Sequence, residues 1–333
     1  MSVVIQAAML TSINTPLSIQ KVDLVPSGPH QVTVRIHFAG INFYESLLIA
    51  GKYPSQSDFP LTLGGELSGE VSAIGNRVSD FKVGDRVFSF AQTGKGTTGS
   101  YATFANIDEQ YLYHLPKTLS FEAGAAFPMI FFTAFTMLSQ VKAKNDSTIL
   151  VHSVAGGVGS TLAQLIRALY PSSKIIGTYS NPKKEKFIQN LGIDLLVNVK
   201  KENLIGKILA KFPSGVDIIF DPVGQRLVDT HIKLLKPLSG IWCSYGGYSG
   251  AITDHNLIGK LRAINGTLVG FLMWPIIEDK DWCQKQFIKI VKIMNKYNLL
   301  PKIDKNFPLV EANNALQRLE ERKNIGKILL DCS

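Results

Sequence analysis

Cysteine is scarce in this chain: Cys243, Cys283 and Cys332 are the 3 in 333 residues, an odd number, far apart and without a CxxC pair. That excludes a disulfide framework and a structural zinc site, and it points to a reducing, cytoplasmic setting. Histidines at metal-ligand spacing are also missing, since His30, His37 and His114 show no HxxxH or related pattern and each reads as structural or surface. The longest apolar run, 123–138, contains Pro128 and is shorter than the roughly 20 residues of a membrane span, so it reads as a buried helix. The N-terminal MSVVIQAAMLTS lacks a basic n-region and a long apolar core, and reads as a first strand rather than a leader. There is no low-complexity tract and no internal repeat.

Acidic residues are in deficit, 26 against 35 Lys and Arg, for a net charge of +9. Binding to nucleic acid or an anionic membrane needs such charge concentrated on one face. The one candidate is the helical stripe Lys285, Lys289, Lys292 and Lys296, opposite Phe287, Ile290, Val291 and Met294. Amphipathic surface helices commonly have this form, and that plainer reading is preferred. With 45% hydrophobic and 18% charged residues the chain is an ordinary globular one, long enough for about two domains.

What is present is concentrated in 145–167, NDSTILVHSVAGGVGSTLAQLIR. The apolar run Ile149-Leu150-Val151 enters a turn holding Gly156, Gly157 and Gly159, after which Leu162, Leu165, Ile166 and Leu169 recur at helical spacing. Strand, glycine turn and helix in this order bring bare backbone N–H groups and a positive helix end against a pyrophosphate. Val154 stands where the first glycine of GxGxxG would fall, so the pattern is incomplete and an ordinary βα turn is the competing reading. About 20 residues further on, an NAD site offers an acidic residue to the ribose 2′-OH. Here the strand 174–178 is followed by Tyr179-Ser180-Asn181-Pro182-Lys183-Lys184. The two lysines read either as a solvated helix start or as partners of a 2′-phosphate. Their offset from the glycine turn favours the second, hence NADP(H).

Residues 1–120 read as a β-rich domain punctuated by Pro26, Gly28, Pro29, Gly40, Gly64, Gly65, Gly75 and Gly84, with 32–38 alternating as a half-buried strand does. The stretch 92–100, QTGKGTTGS, reads as a flexible polar loop. From about 124, strands at 148–152, 174–178, 195–197, 216–220 and 238–244 alternate with helices at 160–170 and 183–191, the pattern of a parallel, doubly wound sheet with ligand at the carboxyl ends of its strands. Asp221, Ser244, Tyr245 and Gly246 are thereby expected to face a cofactor. The run 267–272 reads as an edge strand. The amphipathic helices and the strand 327–330 that follow are expected to return to the first domain.

At this point the chain resembles the medium-chain dehydrogenase/reductase superfamily and, within it, the zinc-free quinone oxidoreductase (zeta-crystallin-like) family. The likeness rests on Gly40-Ile41-Asn42-Phe43-Tyr44-Glu45, Gly51-Lys52-Tyr53-Pro54, Gly64-Gly65-Glu66, Val83-Gly84-Asp85-Arg86-Val87, Gly326-Lys327 and the run from Asn145 through Gly156-Gly157-Val158-Gly159 to Arg167. A closer resemblance, to the vesicle amine transport protein branch, shows in Ile149-Leu150-Val151-His152, Leu234-Leu235-Lys236-Pro237, Gly270-Phe271-Leu272 and Lys323-Asn324-Ile325-Gly326-Lys327.

The resemblance implies an α/β fold: a Rossmann domain over 124–272 and a discontinuous β-rich GroES-like catalytic domain over 1–123 and 273–333. It implies NADPH held by Ala155, Gly156, Gly157, Val158, Gly159, Ser180, Lys184 and Lys327, with Asn42, Tyr53 and Thr133 as polar contacts at the reacting carbonyl. A quinone or α,β-unsaturated carbonyl is the implied acceptor. An enoyl thioester or alkenal reductase, and a cofactor-binding protein without turnover attached to RNA or membrane, are the alternatives. A homodimer through 267–272 is implied as well. Relatives that use zinc carry Cys where this chain has Asn42 and His where it has Gly65, so no metal is expected. The family tyrosines near the cofactor appear here as Val199 and Leu47.

Overall fold

The computed structural model describes residues 3–53 and 58–333. Met1 and Ser2 of the expected first strand, and Pro54 of the Gly51–Pro54 motif, lie outside the described residues. The chain divides into two compact units, one of Met1–Ile130, Trp274–Met294 and Leu300–Ser333, the other of Phe131–Met273 and Asn295–Leu299.

The first unit begins with β1 (Val3–Leu10), β2 (Ser18–Leu24), β3 (Gln31–Ile41), α1 (Phe43–Ile49), β4 (Leu61–Thr62), β5 (Glu66–Ile74), β6 (Arg86–Phe90), β7 (Phe104–Asp108) and β8 (Leu112–His114). Along β3, Val32, Val34 and Ile36 are all fully buried, so the alternation in the sequence marks the core side of that strand. The segment 92–100 departs from expectation. It is not a free polar loop, because Thr93, Thr97 and Ser100 are buried. The polarity that made it look solvated serves internal bonds: Thr93 Oγ1 lies 2.9 Å from the Tyr44 hydroxyl, and the Thr97 hydroxyl accepts from Gly99 N.

The next helix, α2 (Phe121–Gln140), is the expected apolar helix around Pro128. It is long and apolar enough to cross a membrane, but 83% of its most apolar window is buried inside the protein, as in a core helix.

The second unit carries β9 (Thr148–Val151), α3 (Gly157–Leu169), β10 (Lys174–Tyr179), α4 (Glu185–Gln189), β11 (Leu195–Asn198), α5 (Leu204–Lys211), β12 (Ile218–Asp221), α6 (Val228–Leu234), β13 (Ile241–Ser244), α7 (Leu257–Ile264) and β14 (Thr267–Gly270). Its sheet runs β11-β10-β9-β12-β13-β14 and every pairing is parallel. Strands covered on both faces must be apolar throughout, which is why Ile149, Leu150 and Val151 form a run rather than an alternation. Leu150, Ile176, Val197, Ile219 and Trp242 join one buried cluster, each large side chain contributing about 1.5–3 kcal/mol. The chain goes outward from β9 through β10 to β11, then returns to β12 on the other side. That reversal opens a crevice at the carboxyl ends of β9 and β12.

Several boundaries differ from the sequence reading, among them those of two helices. α3 starts at Gly157 because Gly157, Val158 and Gly159 themselves form its first turn. The helix expected over 183–191 is a 3₁₀ turn, Pro182–Lys184, followed by the short α4. Pro182 fixes the tight start, and the Asn181 side chain accepts from Lys183 N.

α8 (Trp274–Ile277) and α9 (Lys280–Tyr297) follow, with β15 (Ile303–Pro308), α10 (Ala312–Glu320) and β16 (Lys327–Asp331). The first unit's larger sheet runs β15-β16-β3-β5-β6-β8, with β7 also paired to β3. Phe287 of α9 packs edge-on against Phe88 and Phe90 of β6, with ring centroids 5.1 and 5.0 Å apart. Lys285, Lys289, Lys292 and Lys296 are exposed on the opposite side, as an amphipathic helix requires.

Candidate functional site

In the second unit the site begins where β9 ends. Ser153 has φ of 53°, a left-handed conformation that costs a serine roughly 1–2 kcal/mol. Gly156, with φ −78° and ψ 175°, is the N-cap of α3, and no side chain caps that helix. The first N–H groups of the helix therefore face outward without an intrahelical acceptor, at the positive end of a 13-residue helix. A Cβ placed on Gly159 would meet Ser153 O at 2.4 Å and Val154 Cα at 2.9 Å, whereas one on Gly156 would meet only Ser153 O, at 3.3 Å. Gly159 thus lets the helix pack on its strand, and the space in front of Gly156 is open. Ala155 is buried beneath the turn, and Gly157 and Val158 are half-buried. This is a cradle that a side chain would fill and that a pyrophosphate fits.

Ser180 follows β10 and is half-buried, while Lys184 is buried in the 3₁₀ turn. Beside them lies an open cavity of ≈ 430 Å³ lined by Tyr179, Pro182, Glu185, Asn198 and Lys201 among others. Val199 is 44% exposed at the end of β11. Ser244, Tyr245 and Gly246 emerge at the carboxyl end of β13 with partial exposure.

Asp221, expected to face a cofactor, is fully buried, and its carboxylate accepts from Val223 N at 2.7 Å, from Gly224 N and from Trp242 Nε1 at 3.2 Å. Burial pushes its carboxyl up to about 6 despite those donors. Thr133 is likewise buried in the second unit, with its hydroxyl 3.6 Å from the sulfur of Met273.

In the first unit, Asn42 and Lys327 come together around Glu66. Lys327 was expected at the cofactor, but its ammonium is 2.6 Å from Glu66 Oε2 and donates to Asn42 Oδ1. Its side chain is 3% exposed and that of Glu66 fully buried. Asn42 Nδ2 donates to the same carboxylate oxygen at 3.3 Å, and Met129 N, next to Pro128, donates to Glu66 Oε1 at 2.7 Å. Burial raises the Glu66 carboxyl, and Lys327 opposes the shift. The neighbouring Glu45 accepts from Asn42 N at 2.7 Å and from the Tyr101 hydroxyl. Desolvation pushes it up to about 7. The amide of Asn42 is therefore clamped between a carboxylate and an ammonium.

Tyr53 stands apart from this cluster, in an aromatic group with Tyr44 and Trp274. The Tyr44 ring is 5.5 Å from Tyr53 and 5.1 Å from Trp274, and Trp274 Nε1 donates to the Tyr53 oxygen. Because the indole can only donate, the hydroxyl proton of Tyr53 stays free for another acceptor. Burial raises the Tyr53 phenol and keeps it protonated. Trp274 and Tyr101 were not picked out as site residues from the sequence, and Glu45 entered only as part of the Gly40–Glu45 motif. Among the described residues no group of three His, Cys, Asp or Glu side chains is placed to hold a metal ion.

Comparison with known proteins fits this geometry. Residues 28–117 match the alcohol dehydrogenase GroES-like domain and residues 157–281 the zinc-binding dehydrogenase family. The quinone oxidoreductase of Pseudomonas aeruginosa is 31% identical over 311 residues, covering 91% of this chain and 91% of that protein. The synaptic vesicle membrane protein VAT-1 homolog of Danio rerio is 29% identical, covering 90% of this chain but 64% of that protein, so this chain spans less than two thirds of that relative. Among solved structures, a mycobacterial protein complexed with NADPH superposes with a TM-score of 0.89 at 25% identity, covering 98% of this chain and 99% of that one.

Proposed function

Because the chain belongs to the quinone oxidoreductase family of medium-chain dehydrogenases/reductases and is an oxidoreductase of that kind, we propose that it uses NADPH to reduce a quinone or an α,β-unsaturated carbonyl. The observation that carries this is the open cradle at the N-terminus of α3, with Ser180 and Lys184 following the next strand. A nicotinamide cofactor, when bound, supplies the hydride. The protein's part is to hold and orient it.

Backbone N–H groups of Gly157 and Val158 take the pyrophosphate, and the hydroxyl of Ser180 with the ammonium of Lys184 takes the 2′-phosphate. Negative charge develops on the acceptor's carbonyl oxygen during reduction, and a neutral hydroxyl aimed at that atom stabilises it. Tyr53 is that donor, since the indole of Trp274 fixes its oxygen and leaves its proton available. The rings of Tyr44 and Trp274 offer an apolar wall to a planar acceptor. Asn42 is a polar contact beside it, its amide held in one orientation by Glu66, Gly40 O and Lys327. An amide and an ammonium are not zinc donors, so these contacts act in a metal's stead. A homodimer through the half-exposed edge strand β14 is part of the same proposal.

NADPH oxidation, followed by absorbance with a benzoquinone, a 2-enal and a 2-enoyl thioester in turn, tests the reading. Turnover with the quinone or the enal is expected, together with tighter binding of NADPH than of NADH. Turnover with the thioester alone, or tighter NADH binding, would overturn it.

A further inference from the structure

Beneath the glycine turn lies a chain of fully buried polar groups that the reaction itself does not use. His152 directly follows β9, and His231 sits on α6, 79 positions away; their Nε2 atoms are 3.1 Å apart. His231 Nδ1 faces Asp221 Oδ2 at 3.7 Å, and His152 Nδ1 is 3.0 Å from Thr178 Oγ1. Thr178 Oγ1 in turn accepts from Ser153 N at 3.2 Å, and the Thr178 carbonyl accepts from Val154 N at 3.0 Å. His152 is 2% exposed, Thr178 3%, and His231 and Asp221 not at all.

Burial holds both imidazoles neutral, so each has one donor nitrogen and one acceptor. The carboxylate of Asp221, fixed by Trp242 and by backbone N–H groups, lies beyond hydrogen-bond reach of His231 Nδ1, which has no hydrogen-bond partner, and favours the proton at Nδ1 by its charge alone. Nε2 of His231 is then an acceptor, and His152 must donate to it. That leaves Nδ1 of His152 as an acceptor for the hydroxyl proton of Thr178. The oxygen of Thr178 consequently turns its lone pairs toward Ser153 N–H.

We propose that this series, Asp221 to His231 to His152 to Thr178, positions the phosphate-binding turn by holding Ser153 in its left-handed conformation. The proposal rests on the reading of the α3 cradle as the nucleotide site. Ser153 is exposed and has φ of 53°, a strain that persists where surrounding bonds over-determine it. Its carbonyl is the atom against which both Gly156 and Gly159 pack. If Ser153 relaxes, that carbonyl turns and the outward N–H groups of the turn lose their common direction. Thr178 and the two histidines are thus positioning residues, and Asp221 acts through them rather than on the ligand.

The test uses Thr178→Val, which removes the hydroxyl and keeps the shape. Hydrogen exchange of the 151–161 segment in the nucleotide-free protein should become faster, a readout independent of NADPH. The NADPH dissociation constant should rise about tenfold, with KM for the acceptor unchanged. Thr178→Ser should restore both. Adding Ser153→Gly to Thr178→Val should restore NADPH affinity, because glycine adopts positive φ without strain; a void or a general loosening of the core would not be repaired this way. Unchanged exchange in Thr178→Val, or no rescue by Ser153→Gly, would overturn the proposal. Should the unaltered protein fail to bind NADPH, the functional reading falls while the exchange result still decides this one.

Discussion

A lysine and a glutamate that share a sealed place each supply the other's opposite charge. Lys327 and Glu66 are in that position, with Asn42 caught between them. Replacing Lys327 with Met strands the carboxylate, and denaturant unfolding should show a loss of about 3–5 kcal/mol, the cost of one uncompensated buried charge. Removing the carboxylate's charge too, with Glu66→Gln in the same chain, should recover most of that loss. Tyr53 is the opposite case, a residue whose worth lies in an atom it leaves unspent. Tyr53→Phe keeps the ring contacts and deletes only the hydroxyl, so kcat should fall about 10²-fold with NADPH affinity unaltered. A smaller KM-only effect would remove Tyr53 from the donor role.

At the level of elements, the strand, turn and helix around Gly156–Gly159 separate two jobs that the sequence pattern merges. Gly159 is needed by the protein, because its Cβ would strike the backbone at 2.4 Å. Gly156 is needed by the ligand, because little of the protein lies where its Cβ would go. Gly159→Ala should therefore destabilise by about 1–3 kcal/mol. Gly156→Ala should leave stability within about 1 kcal/mol and still weaken NADPH binding severalfold or more. Thermal unfolding and fluorescence titration, run on both variants, check the contrast. Element positions were readable in advance because parallel strands covered on both faces must be written as apolar runs. The split of the expected 183–191 helix was less so: Pro182 is consistent with either a helix start or a 3₁₀ turn, and the Asn181 cap decides it only in three dimensions.

Across the molecule, the two units hold buried ionisable groups with opposite responses to acid. In the second, burial pushes His152 down to about 4 from an ordinary value near 6.5, and holds His231 well below that ordinary value too. The unfolded chain takes up protons that the folded unit refuses, so this contribution to stability is complete above pH 6.5 and is lost as pH falls toward 4. Asp221, pushed up to about 6, works against the loss, but one carboxyl faces two imidazoles. In the first unit Glu45 is pushed up to about 7. Its burial is costly while it is ionised, and that cost is relieved as pH falls from 7 toward 4.5. Lowering pH from 8 to 5.5 should thus weaken hydrogen-exchange protection around β9 and β10 and strengthen it around α1, once intrinsic rates are corrected. Protection moving the same way in both places would show that the pairs do not govern these windows.

The same long reach explains what the sequence concealed. The glycine turn, the parallel sheet and the lysine-rich helix are written in neighbouring residues and periodicities. Lys327 and Asn42 are 285 positions apart, and His152 and His231 are 79. Nothing local marks either pairing. Lys327 looked like a ligand contact because its neighbours Asn324 to Gly326 carry a recognisable motif, and Asp221 because strand ends in such sheets commonly face a ligand. In both cases the charged group also has an internal partner that no local pattern marks.

β16 pairs with the Phe38–Ile41 end of β3, so one of the earliest strands to leave the ribosome waits for one of the latest. At roughly 5–20 residues per second the gap lasts on the order of tens of seconds. During that time 38–41 offers an open row of amides and carbonyls to any passing strand. The intervening 131–273 has all six of its strands in hand well before then. Haste in translating the middle of the message is therefore harmless, whereas a pause before the codons for 327–331 prolongs the hazard of aggregation.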